Sequence, residues 1–320
     1  MSLMKSLKKN IVNAYRVWRS YDLKLIFHMI LNRLKCRHFS NYLKADWSCK
    51  FQFLRRHYGH LLDGLKKSPV INTPNEGPVW VFWWQGEDNM PKIVSFCYDS
   101  IRKNIPRGRN LILLHKENFR NYVDIPEYIL KKLENGVISL THFSDVLRMA
   151  LLAEYGGLWI DSTVYVSGKI SEDIFNKPYF SAKEPFRDSC VCGCQYTVYL
   201  LGAAAHAPWI VFARDFLYEY WKKSCKLLDY ILINYILVLA LDAIPELKKN
   251  VLSCVVNTPY INMLQNLRNV ACNPDFYNRM MSECNFYKLS YKLDFKEYDE
   301  DGCITYYGMM THGENKNSIQ

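Results

Sequence analysis

The densest grouping of reactive side chains runs from His142 to Thr163. Within it Asp145 and Arg148 stand three residues apart, a spacing that puts a carboxylate and a guanidinium on one face of a helix. Asp161 follows, after Gly156-Gly157 and the apolar run Leu158-Trp159-Ile160. A helix, two glycines and a short strand would bring all three polar groups to one end of a sheet, where open α/β sheets bind their ligands. Taken singly, each has a plainer explanation: an ion pair three residues apart contributes about a few tenths of a kcal/mol, and aspartate is a common turn residue after a strand. Their joint spacing with the double glycine is harder to dismiss and marks the segment as a binding site.

A second grouping is Cys190-Val191-Cys192-Gly193-Cys194. Zinc sites usually join one C-x-x-C pair to another, whereas C-x-C-x-C on a strand points three thiols to one face. The expectation is a buried or half-buried strand face. Eleven scattered cysteines, an odd number in a long chain, suit a reducing compartment better than a disulfide framework.

The elements needed to position these groups are legible in outline. Ser144 is a good N-cap, Asp145 suits a first helical turn, and Leu147, Leu151 and Leu152 supply an apolar face. Gly156-Gly157 ends the helix and Leu158 to Ile160 enters a buried strand that closes on Asp161. Upstream, Val79 to Trp84 reads as a buried first strand ending at Gln85-Gly86. A helix from about Pro91 to Lys103, a strand at Asn110–His115, a helix near Ile125–Glu134 and a short strand at Val137–Leu140 continue the alternation. Strands alternating with helices imply an α/β fold with a largely parallel sheet covered on both faces. Further on, Trp209–Lys223 and Leu227–Ala243 are helical in period, and Asp229 and Asn234 there could reach the site or satisfy buried helix ends. The tail from 314 to 320 should fray.

The first 58 residues contain neither glycine nor proline, and Leu23, Ile26, Phe27, Ile30, Leu31 and Leu34 form an apolar helical stripe with Lys24, Arg33, Lys35 and Arg37 on or beside it. Such a helix either packs on the body or rests on an anionic membrane surface. Residues 1–67 form a basic helical extension, 68–78 a breaker-rich linker, and 79–313 the main domain. The chain of 320 residues carries a formal net charge of +10, but residues 1–67 hold fifteen basic and three acidic residues, so the remainder is close to neutral. A basic body built to track a phosphate backbone is therefore excluded, and no nucleic-acid partner is expected. No signal peptide is visible, and the most apolar stretch, Tyr230–Leu241, is too short to span a bilayer.

Ser144-Asp145-x-x-Arg148 followed by Gly156-Gly157-x-Trp159-x-Asp161-x-Thr163 resembles the sugar-binding and D-x-D region of nucleotide-sugar glycosyltransferases with the GT-A fold. The nearest likeness is the capsular polysaccharide synthesis branch, related to glycosyltransferase family 32. Val79 to Gly86, Tyr122 to Pro126 and Leu228-Asp229-Tyr230 are also similar to that branch, and the resemblance covers roughly Val79 to Gly313. It implies a Rossmann-type mixed sheet flanked by helices and a retaining transferase. The donor would be a nucleotide-sugar, UDP-linked, and the acceptor a glycan of capsule, O-antigen or another surface polysaccharide; a lipid-linked acceptor at the cytoplasmic face of the plasma membrane would explain the basic extension.

By the same resemblance Trp84 stacks on the base and Gln85 and Gly86 shape the turn beneath it. Ser144 and Asp145 bind the nucleotide-sugar, Arg148 pairs with a sugar hydroxyl or phosphate oxygen, and Trp159 walls the pocket. Asp145, Arg148 and Asp161 form the catalytic set. Asp161 holds a divalent cation, Mn2+ or Mg2+, on the diphosphate. The second carboxylate of the motif is Thr163 here, which removes one anionic oxygen from a hard cation's ligands. Thr163 itself and His312 are the candidates to complete the site. The rival expectation, resting on Thr163, is a noncatalytic sugar- or membrane-binding protein on a decayed transferase fold.

Overall fold

A computed structural model describes residues 2–35, 39–68 and 73–317. The breaker-free amino-terminal stretch forms three helices, α1 (Ser2–Ser20), α2 (Leu23–Lys35) and α3 (Phe39–Leu65). Asp22 caps the second, its Oδ1 accepting the Leu25 N–H at 2.7 Å. Next come β1 (Val79–Phe82), α4 (Lys92–Asn104), β2 (Leu111–Leu114), α5 (Glu127–Glu134), α6 (Leu140–Tyr155), β3 (Gly157–Ile160) and β4 (Val164–Val166). They are followed by β5 (Tyr179–Ser181), β6 (Leu200–Ala203), α7 (Pro208–Lys223), α8 (Leu232–Ala243) and α9 (Pro245–Ser253). The chain continues through α10 (Met263–Leu267), α11 (Pro274–Glu283), β7 (Phe286–Lys288) and α12 (Tyr306–Asn317).

The main sheet runs β2-β1-β3-β6-β5. β1 is parallel to β2 and β3, whereas β6 is antiparallel to both β3 and β5. The sheet is thus mixed, and only its β2-β1-β3 half follows the largely parallel expectation. One face, with Trp80, Phe82 and Trp159, packs with α3, α6, α7 and α8. The other, with Val79, Val81, Leu158 and Ile160, packs with α4 and the segment around Phe175. A separate antiparallel pair, β4 with β7, ties the carboxyl-terminal third to the segment just beyond β3.

Several sequence readings shift, among them the helix expected from Leu227, which begins only at Leu232. Val137–Leu140 is not a strand: the chain turns there and α6 begins at Leu140, capped by Ser139, whose side chain accepts the His142 N–H at 3.2 Å. Ser144 and Asp145 therefore sit inside the helix rather than at its start. The C-x-C-x-C segment is a series of turns instead of a strand, because Gly193 and Cys194 adopt φ of 61° and 58°. α12 runs through Asn317, into the tail expected to be irregular, and residues 318–320 lie outside the described residues.

The double glycine is enforced by close backbone packing. Gly157 has φ +102°, and a Cβ there would lie 2.2 Å from the Pro78 carbonyl oxygen; one at Gly156, φ +63°, would lie 2.5 Å from the Ala205 nitrogen. From the expected linker, Asn75 is buried and clasps Gly157 with both ends of its amide, donating to the carbonyl at 2.8 Å and accepting from the N–H at 2.6 Å. Residues 69–72 of that linker lie outside the described residues.

The third helix is part of the core: Phe53, Leu54, Tyr58 and Leu62 are buried, and Tyr58 packs on Phe216 of α7 at 4.8 Å between ring centres. The first two helices differ. In α2 it is Leu25, outside the predicted stripe, that is buried, while Leu23, Phe27 and Ile30 of the stripe are 78%, 59% and 54% exposed. The side chains of Arg33, Leu34 and Lys35, and all of Arg37, lie outside what is described. Among the described residues no helix is long and apolar enough to cross a membrane.

Candidate active site

The carboxyl ends of β1 and β3 open into a cleft of about 610 Å³. Trp84, Gln85, Ser144, Asp145, Arg148, Trp159, Asp161 and Thr163 all line it. Gly86 and His312 do not. Gly86, φ +82°, makes the turn that follows β1, and His312 on α12 faces Glu297, with Nε2 3.4 Å from Oε2.

Arg148 is the centre of the arrangement. Its guanidinium is almost fully buried, donating through one terminal nitrogen to Asp145 Oδ1 at 2.8 Å and through the other to Asp161 Oδ1 at 2.9 Å. It lies over the Trp159 ring, 4.8 Å from its centre, and the Trp159 indole N–H donates to the same Asp161 oxygen at 2.8 Å. The planar fork of an arginine suits this geometry: two donors are spent on carboxylates while the face stacks on an aromatic ring. Helix α6 and strand β3 are joined by the double glycine, so local chain geometry alone brings Asp145, Arg148 and Asp161 together.

Behind this cluster the Trp221 indole N–H donates to His142 Nε2 at 2.9 Å. Indole nitrogen only donates, so His142 accepts there and carries its proton on Nδ1, which faces Asp145 Oδ2 at 3.4 Å. That approach falls short of a hydrogen bond, so Asp145 is held chiefly by Arg148, one turn further along the same face of α6.

Glu184, Thr197 and Lys288 line the cleft with no signal in the sequence, whereas Asn234, Cys190 and Cys192 are among the residues the sequence singles out. Glu184, from the loop after β5, is satisfied by Arg187 at 2.6 Å, Asn262 at 2.9 Å and the Tyr199 hydroxyl at 3.2 Å. Burial, and next the Glu184 charge, hold the Tyr199 phenol well above its ordinary value, so it stays a neutral donor. Asn234 of α8 lines the cleft, its Oδ1 buried with no partner among the described residues; Arg148 Nε and the lining Thr197 Oγ1 share that state. Orphaned buried polar atoms are rare in folded proteins, and a cluster around one cleft fits a ligand rich in hydroxyls. Asp229 does not line the cleft; it pairs with Lys50 of α3. Cys190 and Cys192 form part of the wall, their sulfurs 3.4 Å apart. The hydrogen bond from Cys192, opposed by burial, pulls the Cys190 thiol down to about 5.

Lys288, at the end of β7, also projects into the cleft. Its ammonium donates to Thr163 Oγ1 and to the Leu289 carbonyl at 3.3 Å, and lies 3.8 Å from Asp161 Oδ2. The side chains around Asp161-x-Thr163 do not make a hard-cation site. One Asp161 oxygen is taken by Arg148 and Trp159, the Thr163 hydroxyl is taken by Lys288, and His312 is elsewhere. Among the described residues no group of three His, Cys, Asp or Glu could hold a metal ion. A divalent cation at this position would meet an ammonium already in contact with its ligands.

A family model described as capsular polysaccharide synthesis protein matches residues 33–310. The chain belongs to this family. The match begins in α2 and so takes α3 into the family unit, in keeping with the packing of that helix on α7 and α8. Over 119 residues this capsular polysaccharide synthesis family member is 29% identical to the O-glycosyltransferase braB of Annulohypoxylon truncatum, covering 35% of the chain. The match spans only 28% of that relative's length. Among solved structures the chain is similar to PaToxG Glycosyltransferase, with 13% identity over 72% of this chain and 84% of that one, at a TM-score of 0.37.

Proposed function

We propose that this chain is a glycosyltransferase that moves a sugar from a nucleotide-sugar, UDP-linked, to a glycan acceptor in surface-polysaccharide synthesis, with retention of anomeric configuration. The observation that carries the reading is the Arg148 guanidinium, held between Asp145 and Asp161 over Trp159 at the floor of an open cleft. The cleft volume suits a ligand of nucleotide-sugar size. Family membership and the name of the O-glycosyltransferase relative support the same class of chemistry.

In this reading Trp84 offers its ring to the base, and Asp145 and Asn234 accept hydrogen bonds from sugar hydroxyls. Arg148 donates to a hydroxyl or a phosphate oxygen, and its stacking on Trp159 keeps it fixed as charge develops. The bond between the anomeric carbon and the diphosphate oxygen breaks, its electron pair leaving with the diphosphate. The acceptor hydroxyl oxygen bonds to the anomeric carbon from the same face and gives its proton to the departing phosphate. The exposed Ile11, Val12, Tyr15 and Trp18 on α1, together with Leu23, Phe27 and Ile30 on α2, support a contact between the basic extension and an anionic membrane bearing a lipid-linked acceptor.

The test is a panel of UDP-, GDP- and ADP-sugars scored for release of free nucleotide, with and without Mn2+. Wild type should turn over at least one donor, and Arg148→Ala or Asp161→Ala should lower the rate by about a hundredfold or more, the scale of losing a placed charge-stabilising donor. Release from no donor under either condition would sink the transferase reading in favour of a sugar- or membrane-binding protein.

A further inference from the structure

We propose that Lys288 supplies the positive charge on the donor's diphosphate, so that nucleotide binding and transfer proceed without a divalent cation. The inference rests on the glycosyl-transfer reading and departs from the metal expected at a D-x-D motif.

The argument begins in the backbone. The segment Asp161 to Val164 turns on itself, with the Val164 N–H donating to the Asp161 carbonyl at 2.9 Å. β7 then pairs antiparallel with β4, setting Lys288 opposite Val164, and the Leu289 N–H donates to the Thr163 carbonyl at 2.8 Å. The pairing delivers the Lys288 side chain to the open side of Asp161-x-Thr163, where a second carboxylate would otherwise face a metal. The Lys288 N–H is fixed in turn by the Ile261 carbonyl at 2.6 Å.

Its ammonium contacts two neutral oxygens, the Thr163 hydroxyl and the Leu289 carbonyl. The nearest carboxylate, Asp161, is 3.8 Å away and spends its other oxygen on Arg148 and Trp159. The side chain is 23% exposed, so the charge is held in the cleft and open to an anionic ligand. An aspartate at 163 would neutralise this ammonium; the threonine leaves it available. The substitution that weakens a metal site therefore also leaves a lysine free to do the metal's electrostatic work. When the anomeric carbon–oxygen bond breaks, its electron pair moves onto the diphosphate, and Lys288 and Arg148 stabilise the added charge. The acceptor's proton passes to a phosphate oxygen, so no further reactant is required.

The probes are UDP, GDP and ADP, titrated by calorimetry into the full chain in EDTA and again with Mn2+ or Mg2+. At least one should bind in EDTA, with an affinity changed less than about threefold by either metal. Lys288→Ala and Lys288→Gln should weaken that binding about tenfold or more, as expected for a lost charge-assisted hydrogen bond, and Lys288→Arg should retain most of it. Thr163→Asp should weaken metal-free binding as Lys288→Ala does, because the new carboxylate claims the ammonium. Thermal melting of each variant shows that the fold survives. Binding only in the presence of metal, or an undiminished affinity in Lys288→Ala, overturns the role of Lys288 while leaving the transferase reading to stand on nucleotide release. Failure of all three diphosphates to bind under either condition also overturns it, and the donor panel then decides the transferase reading separately.

Discussion

Nζ of Lys50, on the third amino-terminal helix, lies 2.5 Å from Asp229 Oδ2 and 2.5 Å from Asp46 Oδ2. Asp229 directly precedes Tyr230, which lines the cleft, and its other oxygen accepts the Ile231 N–H at 3.1 Å, ordering the approach to α8. A charge in the basic extension is thus spent on positioning one wall of the candidate site. Replacing Lys50 by Met would strand two carboxylates, one of them deeply buried, and should cost about 3 kcal/mol or more in denaturant unfolding. Burial alone would lower the Lys50 value, but the bonds to Asp229 and Asp46 outweigh it and hold it above the ordinary 10.5. A raised lysine contributes its full stability below its unfolded value and loses it only as pH rises through the folded one. The gap between wild type and Lys50→Met should therefore stay constant from about pH 6 to pH 9.

Arg148→Lys is expected to behave much like Arg148→Ala. A lysine can neutralise one carboxylate, but it cannot bridge Asp145 and Asp161 while lying flat on Trp159. Nucleotide release should fall by about a hundredfold in both, with thermal melting showing how much of the loss is folding. A lysine variant with near-wild-type turnover would show that charge alone, and not the fork, is what the site uses.

The contrast between Arg148 and Lys288 explains what could be read from sequence. Asp145, Arg148 and Asp161 are joined by one helix, one tight double-glycine turn and one strand, so local periodicity carries them to a common place. Lys288 reaches the same cleft through strand pairing between distant segments, and nothing local marks it; Asn234 is marked by its helix, but only packing decides between the site and a buried helix end. The shift of the helix start from Ser144 to Ser139 has a similar cause: both serines are good caps, and the apolar Val137–Leu140 run reads equally as a strand until packing decides. The cysteine segment did carry a local warning, since a glycine between thiols favours the turn it makes. α2 shows the opposite limit. Its apolar stripe was read correctly as a pattern, but the pattern could not say that Leu25 would face the body while Leu23, Phe27 and Ile30 faced outward.

The Cys190 thiol gives a pH test of the cleft wall. With its value lowered to about 5 by the Cys192 hydrogen bond, the reactive thiolate is populated throughout the neutral range and is lost only as pH falls toward 5. Alkylation of Cys190 by iodoacetamide, followed by peptide mass spectrometry, should be nearly flat between pH 6.5 and 8, spanning about 1.5 pH units. An ordinary exposed thiol would instead speed up about tenfold for each unit over the same interval. Cys192→Ala, which removes the donor, should restore much of the ordinary dependence. A steep rise for Cys190 in the wild-type chain would show that the pair does not share a proton in this way.

The outward faces of α1 and α2 make the last prediction. Trp18 and Phe27 are 66% and 59% exposed, next to Arg16, Arg19 and Lys24, a combination of apolar area and positive charge that water alone does not favour. Burying each large apolar side chain in an interface contributes about 1.5–3 kcal/mol at most, so the triple variant Trp18→Ser, Phe27→Ser, Ile30→Ser should weaken partition onto vesicles about tenfold or more. Binding of the wild-type chain should also depend on anionic lipid and fall with salt, because the basic residues act over about a Debye length. None of these residues contacts the cleft, so nucleotide release with a water-soluble acceptor should be unchanged in the variant while vesicle flotation is lost. If flotation persists, the exposed apolar faces are not what holds the chain to lipid, and a second copy of the chain becomes the occupant to test by light scattering.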